Sequence, residues 1–256
     1  MSALLKIENL NVSIAGKPVC RQLDWLVSAG QHWAVMGLNG VGKTTLFNTI
    51  AGLSEAEAGN ISLLNKAINL YEPQSRAQLL GYLLQSLSYE FPETVWEYGI
   101  NALHPHINRW ENLSARHHDS VKQALELTGL SSFHDRLVNT LSGGERRRLE
   151  ISGLMVQNPL LWLLDEPVNH LDLHHQLQMM ELLVKSADAR NGATISILHD
   201  PNLVARYCSH VLMLLGNGNY ALGETQNLLN EEYLSELFQH PVNAIKHKGK
   251  LLFIAE

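Results

Sequence analysis

Gly37-Leu38-Asn39-Gly40-Val41-Gly42-Lys43-Thr44 fits G-x-x-x-x-G-K-[ST], a loop that wraps phosphate groups in backbone amides. Gly37, Gly40 and Gly42 let the main chain turn tightly and approach an anion with no Cβ in the way. Lys43 is placed to reach the β- and γ-phosphates and Thr44 to hold magnesium, and Asn39 and Thr45 complete the expected nucleotide-contacting set. The helix opening at Lys43 adds the positive end of its dipole. The setting agrees with the motif. Trp33-Ala34-Val35-Met36 is a short apolar strand before the loop, and Thr45 to Ala51 reads as a helix closed by Gly52.

A phosphate loop alone does not separate kinases, GTPases and ATPases. Leu160-Leu161-Trp162-Leu163-Leu164-Asp165-Glu166 is an apolar run ending in two carboxylates, which predicts a buried parallel strand delivering acids to its C-terminal edge. There Asp165 can hold the magnesium shell and Glu166 can accept a proton from a water attacking the γ-phosphorus. Leu141-Ser142-Gly143-Gly144-Glu145, followed by Arg146-Arg147-Arg148, predicts a helix start whose exposed amides bind a second anion without a lysine. A P-loop kinase has no use for such an element. One chain then carries two unlike phosphate-binding surfaces, and both grip one nucleotide only when two chains meet head to tail.

With these three motifs in this order the sequence resembles an ABC-type ATPase, and the resemblance covers nearly the whole chain. It implies an α/β fold: a P-loop NTPase (RecA-like) core with a mixed sheet plus an inserted helical subdomain. The expected layout is one domain over residues 1–256, with core 1–85 and 159–225, helical subdomain 86–158 and a C-terminal tail 226–256. The family's glutamine that senses magnesium and attacking water maps onto Gln85, its dimer-interface loop onto Asn169-His170-Leu171-Asp172, and its switch histidine onto His199. The implied cofactors are ATP and Mg2+, with Thr44, Gln85 and Asp165 around the metal. Ile14 stands where the family often stacks adenine on an aromatic ring. Losing such stacking, worth about 1–3 kcal/mol, implies looser discrimination between ATP and GTP.

Thr94-Val95-Trp96-Glu97-Tyr98, His104-Pro105-His106 and Ala124 to Leu130 resemble one subgroup, the ATPases of importers for iron-siderophore complexes, haem and cobalamin. Many members carry a Gly-Arg pair where this chain has Ala102-Leu103. The implied partners are a second copy in a homodimer, transmembrane permease subunits and, indirectly, a periplasmic or surface solute-binding protein. The implied location is the cytoplasmic face of the inner membrane, through the permease. A soluble, non-transport ABC ATPase in translation or cofactor assembly is the alternative, because Asn169-His170-Leu171-Asp172 also occurs in that branch.

Composition agrees. With 256 residues and 45% apolar content the chain can bury a large core, and a formal charge of −6 argues against a nucleic-acid partner. Two cysteines, Cys20 and Cys208, are too few for a disulfide framework and point to a reducing compartment. The start, Met1 to Glu8, does not read as a signal peptide, and no run reaches the ~18 apolar residues of a membrane span. Tyr89, Phe91, Trp96, Tyr98 and Trp110 read equally as permease anchors and as core. The close pairs His104/His106, His117/His118 and His174/His175 do not read as a metal site, because adjacent histidines on a helix point apart.

Overall fold

The computed structural model describes residues 3–85, 92–107, 111–248 and 250–256. Along the chain, β1 (Ala3–Ile14) and β2 (Lys17–Ser28) precede β3 (His32–Gly37), α1 (Lys43–Ile50), β4 (Ala58–Leu63) and β5 (Lys66–Ala67). Next come α2 (Pro73–Leu79), β6 (Leu80–Leu83), α3 (Val95–Asn101), α4 (Ala115–Leu127), α5 (Gly143–Gln157), β7 (Leu161–Asp165) and α6 (Leu173–Asp188). The last part holds β8 (Ala193–Ile197), α7 (Pro201–Tyr207), β9 (His210–Gly216) and β10 (Asn219–Glu224). It ends with α8 (Thr225–Leu228), α9 (Glu231–Phe238), β11 (Val242–His247) and β12 (Lys250–Ala255).

These elements form two compact units, Met1–Tyr71 with Ala193–Glu256, and Glu72–Gly192. In the first, β2, β1, β4 and β5 pair in that order as an antiparallel sheet. A second sheet sets β3 between β8 and β9, both parallel to it, with Val35 opposite Ile197 on one side and Leu212 on the other. Every residue of β3 and of β8 is buried, as expected of parallel strands covered on both faces. β10 turns back antiparallel on β9 through Gly216-Asn217-Gly218, where Asn217 and Gly218 take φ of 53° and 84°. This mixed pairing is the sheet character the sequence predicts.

The second unit pairs β6 parallel to β7, Leu83 opposite Leu164, and packs α3, α4 and α5 around Val95, Val121, Leu125 and Leu149. The helix starts obey the rules of local chemistry. Thr94, Ser114 and Ser142 each cap a helix through a reciprocal box with the third residue on. Trp96 and Tyr98 pack against this helical core. Trp96 is half-buried and stacks with His118 at 5.7 Å and with His134 at 4.6 Å. Tyr89, Phe91 and Trp110 lie outside the described residues.

Both thiols are free and buried, and burial pushes Cys20 up to about 11 and Cys208 up to about 12. The C-terminal tail folds as α9 and the antiparallel pair of β11 and β12. Neither β10 nor β11 carries an apolar run like those of β3, β7 and β8. Both are short, β10 largely half-buried and β11 mostly exposed, so pairing rather than apolar patterning makes them strands.

Candidate active site

β3 delivers the chain into the phosphate loop, whose conformation only glycine tolerates at its key turn. Gly42 has φ of 106°, and a Cβ there would fall 2.3 Å from a Val19 methyl carbon. Gly42 is also the N-cap of α1 and places no side chain over the helix start, so the first amides of α1 face the loop rather than a capping oxygen. Lys43 is buried, and its Nζ donates to the carbonyls of Gly37 at 2.9 Å and Leu38 at 3.1 Å. A cationic head anchored on the loop's own carbonyls, beside glycines that let the backbone approach an anion, fits a polyphosphate. Thr44 and Asn39 are exposed at the loop and Thr45 is half-buried.

His199 follows β8 by two residues and is half-buried. Because β8 runs parallel to β3, His199 and the phosphate loop leave the same C-terminal edge of one sheet. The next residue, Asp200, caps α7 by accepting from the Asn202 amide at 2.8 Å, and Pro201 opens that helix. Ile14, at the end of β1, is 44% exposed and so presents an aliphatic surface rather than a ring.

In the second unit, β7 is buried throughout and Asp165 is fully buried at its end. Burial and the Asp165 carboxylate push the Tyr82 phenol well above its usual range. Glu166, next along, takes φ of 49°, left-handed backbone that a non-glycine residue rarely adopts. Its Oε2 accepts from Gln85 Nε2 at 3.0 Å and also from Asn169 Nδ2. Gln85 leaves the C-terminal edge of β6, the parallel neighbour of β7. The expected base and the expected sensing glutamine are therefore joined directly.

The signature helix α5 begins at Ser142. Its hydroxyl accepts from the Glu145 amide at 3.3 Å, and Glu145 Oε2 accepts from the Ser142 amide at 2.8 Å. That Ser142 amide, helped by Arg136 and Arg148, holds the Glu145 carboxyl below the usual carboxylate range. Gly143 follows with an open face, a Cβ there meeting only the His170 side chain at 3.9 Å, whereas Gly144 is half-buried and close-packed. The nearest neighbours to a Cβ at Gly144 would be the His170 carbonyl at 3.3 Å and a Leu171 methyl at 3.5 Å. Asp172 caps α6, accepting from the His175 amide at 2.9 Å and pairing with its ring at 2.8 Å.

Two residues escaped the sequence reading. Asn169 appears there only as part of a loop, yet its amide holds the Glu166 carboxylate. Arg147 appears only as one of three arginines, yet its guanidinium is buried beside the end of β7. The available signal was Glu150, three residues on and inside an otherwise apolar helical stretch, which forms an i,i+3 ion pair at 2.7 Å.

A family model described as ABC transporter matches residues 20–169. The chain is 31% identical to a probable iron chelatin transport ATP-binding protein of Helicobacter pylori, across 98% of this chain and 99% of that one. It is 33% identical to the hemin import ATP-binding protein HmuV of Pseudomonas fluorescens, across 98% and 100%. A solved structure described as an inward-facing metal-chelate type ABC transporter superposes with a TM-score of 0.84 at 28% identity, covering 99% of this chain and 98% of that one.

Proposed function

The chain belongs to the ABC transporter family, as an ATP-binding, ATP-hydrolysing subunit, and from that premise we propose that it drives import of an iron-bearing chelate, a siderophore complex or haem. The cargo is supported by relatives of matching length whose names carry iron chelatin and hemin. The observation carrying the catalytic assignment is the bond from Gln85 to the Glu166 carboxylate at the end of β7.

In this reading Lys43 and the amides of Gly40, Gly42 and Thr44 bind the β- and γ-phosphates. Glu166 takes the proton of the attacking water, and Gln85 and His199 orient that water and the γ-phosphate. Thr44, Asp165 and Gln85 have the oxygen donors that suit Mg2+, which when bound neutralises charge on the phosphate oxygens. The Ser142-Gly143-Gly144 amides serve the nucleotide of a second copy, so that two chains close on two ATP molecules and reopen after hydrolysis.

The same reading keeps a helical subdomain at 86–158 within a single functional domain. A groove of about 360 Å³ lined by Tyr82, Leu84, Glu93, Tyr98, Glu150 and Gly153 receives a permease segment. It sits beside the start of the Gln85 loop in sequence, which supports a route from partner to base. Among the described residues no helix is long and apolar enough to cross a membrane, so the permease supplies the membrane path and receives cargo from a solute-binding protein.

The test is uptake of labelled ferric siderophore and haem by cells whose own copy has been removed. The chain restores uptake, Glu166→Gln does not, and a multi-span protein copurifies from detergent-solubilised membranes. Uptake indifferent to the chain, with no such protein copurifying, contradicts the import reading and favours a free-standing ATPase.

A further inference from the structure

We propose that Arg147 is a positioning residue for hydrolysis, fixing Glu166 and the Gln85 loop from behind and tying both to the groove through Glu150; the proposal rests on reading Glu166 as the general base. A guanidinium has five N–H groups in a rigid fork, and here five acceptors meet it. Nε donates to the Pro167 carbonyl at 3.1 Å. Nη1 donates to the Leu84 carbonyl and to Glu150 Oε2, both at 2.7 Å. Nη2 donates to the carbonyls of Asp165 and, at 3.0 Å, Glu166.

The neighbouring arginines do something different. Arg146 donates to the Leu141 carbonyl, and Arg148 to the carbonyls of Thr128 and Gly129. Arg147 turns to the end of β7. It gathers three successive carbonyls, at 165, 166 and 167, around a left-handed Glu166. Such backbone persists only where its surroundings hold it. The fourth carbonyl, Leu84, immediately precedes Gln85, the residue that holds the Glu166 carboxylate. One buried side chain therefore sets both ends of the Gln85–Glu166 bond.

Its ionic partner Glu150 lies in the wall of the groove with Tyr82 and Leu84. Pair and groove share one wall, so displacement of Glu150 by a bound segment moves the guanidinium and with it the base. Arg147 also stands on α5, whose first turn is the Ser142-Gly143-Gly144 loop. A shift of that helix is transmitted to the base by the same fork.

The experiment compares steady-state ATP hydrolysis and thermal midpoints of the full chain carrying Arg147→Lys, Arg147→Met/Glu150→Leu, and each of these with Glu166→Gln. Removing both charges of a buried pair preserves folding where removing one does not, so the Met/Leu variant melts near the wild type. Positioning predicts KM for ATP within about twofold of wild type and kcat lower by about 10- to 100-fold, the size of effect that follows misplacement of a reacting group. Arg147→Lys falls equally, since an ammonium keeps the charge and loses the fork. Adding either change to Glu166→Gln costs little more, because the two act as one unit. Recovery of kcat along with the melting midpoint in Arg147→Met/Glu150→Leu overturns the proposal, as does full additivity with Glu166→Gln. If the Met/Leu variant does not fold, the kcat and KM of Arg147→Lys decide in the same way. Wild-type turnover by Glu166→Gln alone removes the base assignment itself, an outcome separate from failure of the positioning role.

Discussion

At the scale of the residue, the chemistry divides between groups visible from spacing and groups visible only from packing. Lys43 is legible because a phosphate loop admits one cation at a fixed place, and the structure shows its ammonium held by the Gly37 and Leu38 carbonyls. Lys43→Ala removes that charge from the loop, so ATP binding weakens and turnover is lost; equilibrium binding of a fluorescent ATP analogue and phosphate release measure both. Unchanged affinity and hydrolysis contradict the assignment. Glu166→Gln keeps binding and slows hydrolysis by about 10²–10⁴-fold, or about 3–5 kcal/mol of barrier. Single-turnover hydrolysis reads this directly. Gly42 is likewise legible, its left-handed backbone and the 2.3 Å approach to Val19 excluding any larger side chain. Arg147 is not legible in this way. Three adjacent arginines on a helix read as a solvated face, and only the packing of α5 shows that the middle one is 5% exposed.

At the scale of the element, boundaries follow capping chemistry. α5 starts at Ser142 because the hydroxyl and the Glu145 carboxylate satisfy each other's amides. Ser142→Ala therefore costs about 1 kcal/mol of stability, measurable by thermal or urea unfolding. The pH dependence has a definite sign. The Glu145 carboxyl is depressed in the folded chain, first by the Ser142 amide, so its contribution is present above the ordinary glutamate value and fades as pH falls through the folded value. The stability gap between wild type and Glu145→Gln accordingly narrows on acidification below about pH 4. A gap constant with pH contradicts the cap. The buried strands β3, β7 and β8 are legible as apolar runs. β10 and β11 are not, because their strand character comes from antiparallel partners and a turn.

At the scale of the whole molecule, the order of motifs along the sequence carries the fold: phosphate loop, glutamine after β6, signature, acidic strand, histidine after β8. Each lies at a strand end or a helix start, where backbone amides or side chains emerge from the core. The two units each bring together part of this set, Lys43 and His199 on one sheet edge, Gln85 and Glu166 on the other pair of strands. The signature amides of Ser142, Gly143 and Gly144 belong to the nucleotide of another copy in the proposed cycle. The central claim is that ATP joins two chains and that Glu166 ends the joined state. Size-exclusion chromatography with light scattering on Glu166→Gln, with and without saturating ATP and magnesium, tests it most directly. The account predicts a monomer without nucleotide and a stable dimer with ATP that Lys43→Ala abolishes. A Glu166→Gln chain that binds ATP and remains monomeric contradicts it.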